Sequence, residues 1–133
     1  MEITRQPIKV LYLETDDTPQ GIPPLFDKLF SLIPDPQKRK CFGASTGPTG
    51  TYRACVEKIV GDDAHALGMQ EWELPGGLFA VERVEDWPGD TGKIGLAFQR
   101  LLSEYENRIS NWGWGLEDYL TENTVDVLIM INP

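Results

Sequence analysis

Leu25-Phe26-Asp27-Lys28-Leu29-Phe30-Ser31 has a counterpart 72 residues further on, Ala97-Phe98-Gln99-Arg100-Leu101-Leu102-Ser103, with Phe, a basic residue, Leu and Ser in register. Each stretch belongs to an apolar stripe of helical period: Leu25, Phe26, Leu29, Phe30 and Ile33 in the first, and Ile94, Ala97, Phe98, Leu101, Leu102, Tyr105 and Ile109 in the second. The pair decides the fold because the flanking elements recur in the same order. Before the first helix, Ile8 to Glu14 is rich in β formers and ends at the turn Thr15-Asp16-Asp17. Gly21-Ile22-Pro23-Pro24 opens the helix, with proline tolerated in the first turn, and Pro34 and Pro36 stop it. Cys41 to Ser45, the turn Gly47-Pro48-Thr49-Gly50 and Tyr52 to Val60 then read as a hairpin, and Gly61 to Gly68 as a loop.

In the second half, Leu78 to Glu85 alternates as a strand between Pro75-Gly76-Gly77 and Pro88-Gly89. After its helix, Gly113 and Gly115 mark the exit, and Leu116 to Leu120, a turn at Thr121 to Thr124 and Val125 to Ile131 form a second hairpin. The offset of 72 also sets Cys55 to Ile59 against Val127 to Ile131. The fold expected is α+β: two tandem, pseudo-symmetric strand–helix–strand–strand units, about residues 8–60 and 77–132, forming an antiparallel sheet with two main helices and a groove at their junction. A unit of about 60 residues has a marginal core alone, so the pair should pack as one domain over residues 1–133.

Composition narrows the function. Asp and Glu number 21 against 12 Lys and Arg, a net charge of −9, and the densest basic run is only Lys38-Arg39-Lys40. That balance argues against direct nucleic-acid binding, which needs clustered cations for the phosphates, and favours cationic partners. Met1 to Pro7 has no apolar signal region, and the longest aliphatic run, Val127 to Ile131, is far below the ~20 residues of a membrane span. A cytoplasmic protein without membrane attachment is expected. Two cysteines, Cys41 and Cys55, and one histidine, His65, give no metal motif, so neither metal nor cofactor is expected. The cysteines lie on paired strands, where register decides whether they share a face.

Several motifs fail. Gly43 to Gly50 lacks the Gly-Lys-[Ser/Thr] ending of a phosphate loop, and Pro48 has no amide donor. Asp90-Thr91-Gly92-Lys93 reads as helix capping. His65 sits beside Asp62 and Asp63 with no marked serine, so no nucleophile–His–acid set forms.

At Glu73-Leu74-Pro75-Gly76-Gly77-Leu78-Phe79-Ala80-Val81, followed by a helix and by Leu116-Glu117-Asp118-Tyr119, the chain resembles the GyrI-like small-molecule-binding domain. That family carries a Pro-[Ala/Gly]-Gly step, an aromatic-Ala-Val strand, a helix and a late Phe/Leu-Glu-x-Tyr strand, and often closes on an aliphatic strand ending in proline, as at Pro133 here. The Tyr52-Arg53-Ala54-Cys55-Val56-Glu57 strand is compatible, and the resemblance runs from about Lys9 to Pro133. It implies a ligand groove where the halves meet. Relatives are fused to DNA-reading regions in AraC- and MerR-type multidrug regulators, stand free as multidrug binders, inhibit gyrase, or hydrolyse cyclopropane-bearing DNA-alkylating natural products. With a first strand starting by residue 8, this chain is expected to be of the free-standing kind.

Glu117 and Tyr119 are two apart on a strand and so share a face, opposite Leu116, Asp118 and Leu120. The resemblance maps the family's functional glutamate and its aromatic partner onto these two positions. A carboxylate in a low-dielectric groove is a counter-charge for a lipophilic cation, and aromatic faces add cation–π attraction and undemanding stacking. Trp112-Gly113-Trp114-Gly115 just before this strand reads either as groove walls or a lid, or as two tryptophans capping the core. Phe79 and Glu82 lie in the central strand that Trp72 and Trp87 flank, where core packing is the alternative to ligand contact. By pseudo-symmetry Tyr52 and Glu57, on opposite faces of their strand, are candidates for the other side of the groove. The leading expectation is a multidrug-binding protein that sequesters aromatic, preferably cationic compounds. The alternatives are a cyclopropanoid hydrolase using Glu117 and Tyr119 as acid and base, and a gyrase-inhibitor-like partner module. The exposed edges of a two-unit sheet offer a route to a homodimer, though no residue pattern marks an interface.

Overall fold

A computed structural model describes residues 1–18, 20–47 and 50–133 of the chain. Pro48 and Thr49, the middle of the expected hairpin turn, lie outside the described residues. The strands are β1 (Glu2–Arg5), β2 (Ile8–Asp16), β3 (Cys41–Ser45), β4 (Thr51–Glu57), β5 (Gln70–Leu74), β6 (Gly77–Glu85), β7 (Gly115–Tyr119) and β8 (Thr124–Met130), and the helices are α1 (Ile22–Leu32) and α2 (Gly92–Glu104). The strands form one antiparallel sheet in the order β1-β6-β8-β7-β3-β4-β2-β5. The α+β class and the paired strand–helix–strand–strand order stand as the repeat requires. The order is a palindrome of roles: β6-β8-β7 mirrors β2-β4-β3, and the halves join strand to strand between β3 and β7.

Local chemistry sets the helix limits. Pro23 and Pro24 occupy the first turn of α1, where no intrahelical donor is lost. Ile33 leaves the helix at φ −109°, ψ 146°, because the ring of Pro34 disfavours an α conformation in the residue before it. Asp90, rather than Thr91, caps α2: its Oδ1 accepts from the Gly92 N–H at 3.1 Å. The stripe that extended this helix to Ile109 overshoots. The helix ends at Glu104, and Ile109 instead bridges to Ile131 as a short extension beside β8.

Both helices cover one face of the sheet. Leu29 and Ile33 pack on Leu11, Tyr52, Ala54 and Val56, while Ala97 and Leu101 pack on Ala80, Val84, Val125, Val127 and Ile129. The other face curls on itself. The Arg5 guanidinium of edge strand β1 reaches Asp118 of β7 at 2.9 Å over two intervening strands, and Trp72 of β5 touches Trp112 and Trp114 beside β7. This concave side holds a third core of Val10, Tyr12, Phe42, Cys55, Phe79, Val81, Leu116 and Leu128.

Strands β1 and β5 are additions to the expected plan. Each precedes the first strand of one half and pairs with the first strand of the other: β1 leads into β2 but pairs with β6, and β5 leads into β6 but pairs with β2. The halves thus exchange edge arms. Both arms alternate exposed polar with inward residues, Glu2-Ile3-Thr4-Arg5 and Gln70-Glu71-Trp72-Glu73-Leu74, a charged pattern suited to sheet edges. The strand expected to reach Val60 stops at Glu57, leaving Ile59 and Val60 exposed. Element limits also shift the repeat by one residue here: β4 and β8 superpose at an offset of 73, so Ala54, not Cys55, corresponds to Val127 on the helix face. Phe42 is the registry partner of Cys55, so the two cysteines are on adjacent rows and opposite faces, and both are free thiols.

Phe79, almost fully buried on the concave side, is the anchor of that third core. Phe79→Ala is expected to cost about 3–5 kcal/mol of unfolding free energy, read in a urea titration with an unchanged m-value.

Candidate functional site

The seam between β3 and β7 places Gly43 directly opposite Glu117. These are equivalent positions of the two halves, each the third residue of its strand, so the pair sits on the pseudo-two-fold axis. A Cβ on residue 43 would lie 1.9 Å from the Tyr52 hydroxyl and 2.4 Å from Glu117 Oε1. Glycine is required by this close approach and not by backbone angles. Into the space it leaves, the Glu117 side chain folds across the seam, and the Tyr52 hydroxyl donates to Oε1 at 2.7 Å and the Tyr119 hydroxyl at 2.6 Å.

Glu117 is 8% exposed, and among the described residues no Lys, Arg or His pairs with it. Burial raises its pKa above the ordinary carboxyl value; the two tyrosine hydroxyls oppose the rise, and nearby Asp17, held by Ser45, adds to it. Burial also pushes both tyrosines well above their usual range, with the Glu117 charge as the next cause. Cys41, opposite Tyr119 in register, is pushed up to about 12, first by burial and then by Glu117 and Asp118.

Aromatic rings surround the carboxyl. Phe26 of α1 stands edge-on to Tyr52 (6.1 Å between centroids) and to Tyr119 (5.8 Å). Its repeat partner Phe98, on α2, packs against Gly115, where a Cβ would come within 2.5 Å of its ring. Trp87, in the turn Trp87–Gly89 that precedes α2, packs on Tyr119 at 5.4 Å. The two helices therefore lower one phenylalanine each onto the seam, with Glu117 between them. Beyond Tyr119 the seam ends in a cleft of about 280 Å³ lined by Gln37, Lys38, Arg39, Lys40, Asp118 and Leu120.

Of the sequence candidates, the structure brings together Glu117, Tyr119, Tyr52 and Trp87. It places the others elsewhere. Trp112 and Trp114 stand on the concave face, because period two puts Trp114 with Leu116 and Asp118 and away from Glu117. There Trp114, Trp72 and Tyr12 enclose the Arg53 guanidinium at 4.8, 4.5 and 4.2 Å, and Arg53 also binds Glu14 at 2.7 Å. Phe79 belongs to the same concave core, edge-on to Trp112. Glu57 points to that side too, five residues from Tyr52 and so on the opposite strand face. Glu82 does share the helix face, in the row Glu82–Val127–Glu117, but Arg100 of α2 clamps it with two hydrogen bonds of about 3 Å and a third, shorter one. Two residues of the site, Phe26 and Gly43, were legible only as a core position and as part of a failed phosphate loop. A glycine between Phe42 and Ala44 in a strand is the available signal, since strand glycines mark close approach.

No protein-family model matches the chain, and no curated protein sequence resembles it. Solved structures do. An integron cassette protein from the mobile metagenome of Vibrio cholerae superposes with a TM-score of 0.70 at 16% identity, over 99% of this chain and 95% of that one. SAV2435, solved bound to tetraphenylphosphonium, gives 0.68 at 8% identity over 99% and 93%. A hydrolase from Listeria innocua gives 0.62 at 8% identity over 99% and 90%. At these identities the likeness establishes a common fold. No helix among the described residues is long and apolar enough to cross a membrane.

Two outcomes follow from the geometry. Gly43→Ala should cost about 1–3 kcal/mol by overpacking, and Tyr52→Phe, which removes the nearest atom, should restore part of that loss in a double-mutant cycle. Because burial favours the protonated Glu117 in the folded state, its stabilising protonation is complete below the unfolded carboxyl value and is lost as pH rises through the higher folded value. Glu117→Gln should therefore raise Tm at pH 7, with the gap over wild type closing as pH falls into the carboxyl range.

Proposed function

We propose that this chain is a GyrI-like cytoplasmic binding protein, one domain of two pseudo-symmetric halves, that sequesters aromatic lipophilic cations between α1 and α2. The observation that carries this reading is a buried carboxyl with no cationic partner among the described residues, ringed by Phe26, Tyr52, Trp87 and Tyr119. In such surroundings an unpaired carboxylate is costly, and a cation that arrives already dehydrated relieves it. The tyrosine hydroxyls stabilise the ionised form and fix Oε1, while the ring faces supply area and cation–π attraction. In support, SAV2435 has the same fold and was solved bound to tetraphenylphosphonium, an aromatic cation.

Calorimetric titration with tetraphenylphosphonium tests the proposal. Saturable binding is expected in the micromolar range, weakened at least about tenfold (~1.4 kcal/mol) by Glu117→Gln. Tetraphenylborate, of equal shape and opposite charge, should not bind. Affinity for the cation should also rise with pH through the Glu117 titration and stay flat in Glu117→Gln, because the cation and the proton compete for one carboxylate. Equal affinity for wild type and Glu117→Gln would overturn the assignment.

A second reading rests on the raised carboxyl pKa. A protonated Glu117 beside two tyrosines is equipped as a general acid, and hydrolytic proteins share this fold. Turnover of a cyclopropane-bearing alkylator, abolished by Glu117→Gln with binding retained, would favour it; stoichiometric binding without product would remove it.

A further inference from the structure

Four tryptophans are present, and Trp87 is the one on the Glu117 side of the sheet. Its backbone is set for that position: the preceding Asp86 turns the chain in the left-handed region (φ 55°, ψ 35°), at the entrance to the turn that carries Trp87 towards α2. The ring lies against Tyr119, whose hydroxyl is committed to Glu117. The indole Nε1 is buried, and among the described residues it is the only buried side-chain nitrogen or oxygen that lacks a hydrogen-bond partner. An indole N–H can only donate, so no rotation or change of protonation lets it find another use. No described residue places an acceptor on it, whereas the other buried side-chain polar atoms among the described residues are satisfied. Buried donors are normally paired, and an exception beside a binding site is answered most simply by an acceptor on the ligand.

We propose that Trp87 Nε1 is the specificity-determining donor of this site, selecting among aromatic cations those that carry a hydrogen-bond acceptor, such as a ring-borne carbonyl. The inference rests on the reading of Glu117 as counter-charge to an aromatic cation, and it adds a second, neutral point of recognition. Glu117 answers the positive charge and Trp87 answers the acceptor. A cation without an acceptor satisfies only the first.

The test compares tetraphenylphosphonium, which has no acceptor, with (4-acetylphenyl)triphenylphosphonium, which has the same charge, nearly the same shape and one ketone oxygen. Wild type should bind the acetyl compound about fivefold more tightly, the worth of one added hydrogen bond, and Trp87→Phe should bring the ratio of the two affinities close to one. Because the readout is a ratio, a general weakening from the smaller ring does not mimic the result. A second measurement needs no variant beyond that used for assignment: the Trp87 indole proton, observed by NMR in wild type, should move downfield with the acetyl compound and not with tetraphenylphosphonium. An unchanged ratio in Trp87→Phe, or equal shifts with both compounds, would overturn the role of Trp87. Tetraphenylphosphonium that fails to bind wild type, or binds Glu117→Gln equally well, would overturn the counter-charge reading and this inference with it, and those outcomes are seen with tetraphenylphosphonium alone.

Discussion

The structure turns on the contact between a strand glycine and a buried carboxyl. Joining two copies of one plan strand to strand puts equivalent residues face to face on the symmetry axis, and here the Tyr52 hydroxyl and Glu117 Oε1 fill the place where a side chain on residue 43 would begin. The halves resolve this by differing: Gly43 gives up its side chain, and Glu117 fills the space. The Tyr52 hydroxyl then reaches across from β4 to meet the Tyr119 hydroxyl on one carboxylate oxygen. The same asymmetry governs the rest of the site. Phe26 leans towards Glu117 over the two tyrosines, whereas its repeat partner Phe98 drops onto Gly115.

The two sheet faces divide the work. On the concave side, polar groups are matched inside the chain: Arg5 with Asp118, Arg83 with Asp126, and Arg53 with Glu14 and three aromatic rings. Arg83–Asp126 and Arg53–Glu14 pair neighbouring strands. Arg5–Asp118 and the packing of Arg53 on Trp72 and Trp114 hold strands that are not neighbours in the sheet order against one another, and the tryptophan loop at 112–114 serves that closure. On the helix face Glu82 shares the row of Glu117, and Arg100 answers it, while nearby Asp17 is held by the Ser45 hydroxyl. Glu117 stands out among the three buried acids of the described residues: Asp118 and Asp126 each pair with an arginine, and this one is left to two hydroxyls.

Much of this was legible in the sequence. The repeated helical stripes around Phe26 and Phe98 gave the two units, and period two put Glu117 and Tyr119 on one face. What the sequence did not disclose depends on pairing partners. The arms β1 and β5 carry one and two apolar residues, too few for a periodic signal, and their strand character comes from the neighbours that receive them. The tryptophans at 112 and 114 looked like site residues by composition, yet their parity relative to Glu117 already put them on the other face. Gly43 could not be understood before register paired it with Glu117, and Arg53 gave no hint that it would sit in a box of three rings.

The chemistry of a single buried carboxyl also limits what can bind. A small, strongly hydrated cation would have to shed its water for one carboxylate and two hydroxyls already spent as donors, and the site offers it too few oxygens to replace that shell. A tetraaryl or similarly delocalised cation has little hydration to lose and brings its own apolar surface for Phe26, Trp87 and the tyrosine rings. The proton is the remaining competitor. Since burial favours the protonated carboxyl, a cation bound as proposed would displace a proton from part of the population, so binding would weaken at low pH and favour ligands with enough ring area to offset it. On the proposed reading, selectivity for charge and breadth in shape have one origin, a carboxyl that the fold has desolvated with no cation among the described residues to neutralise it.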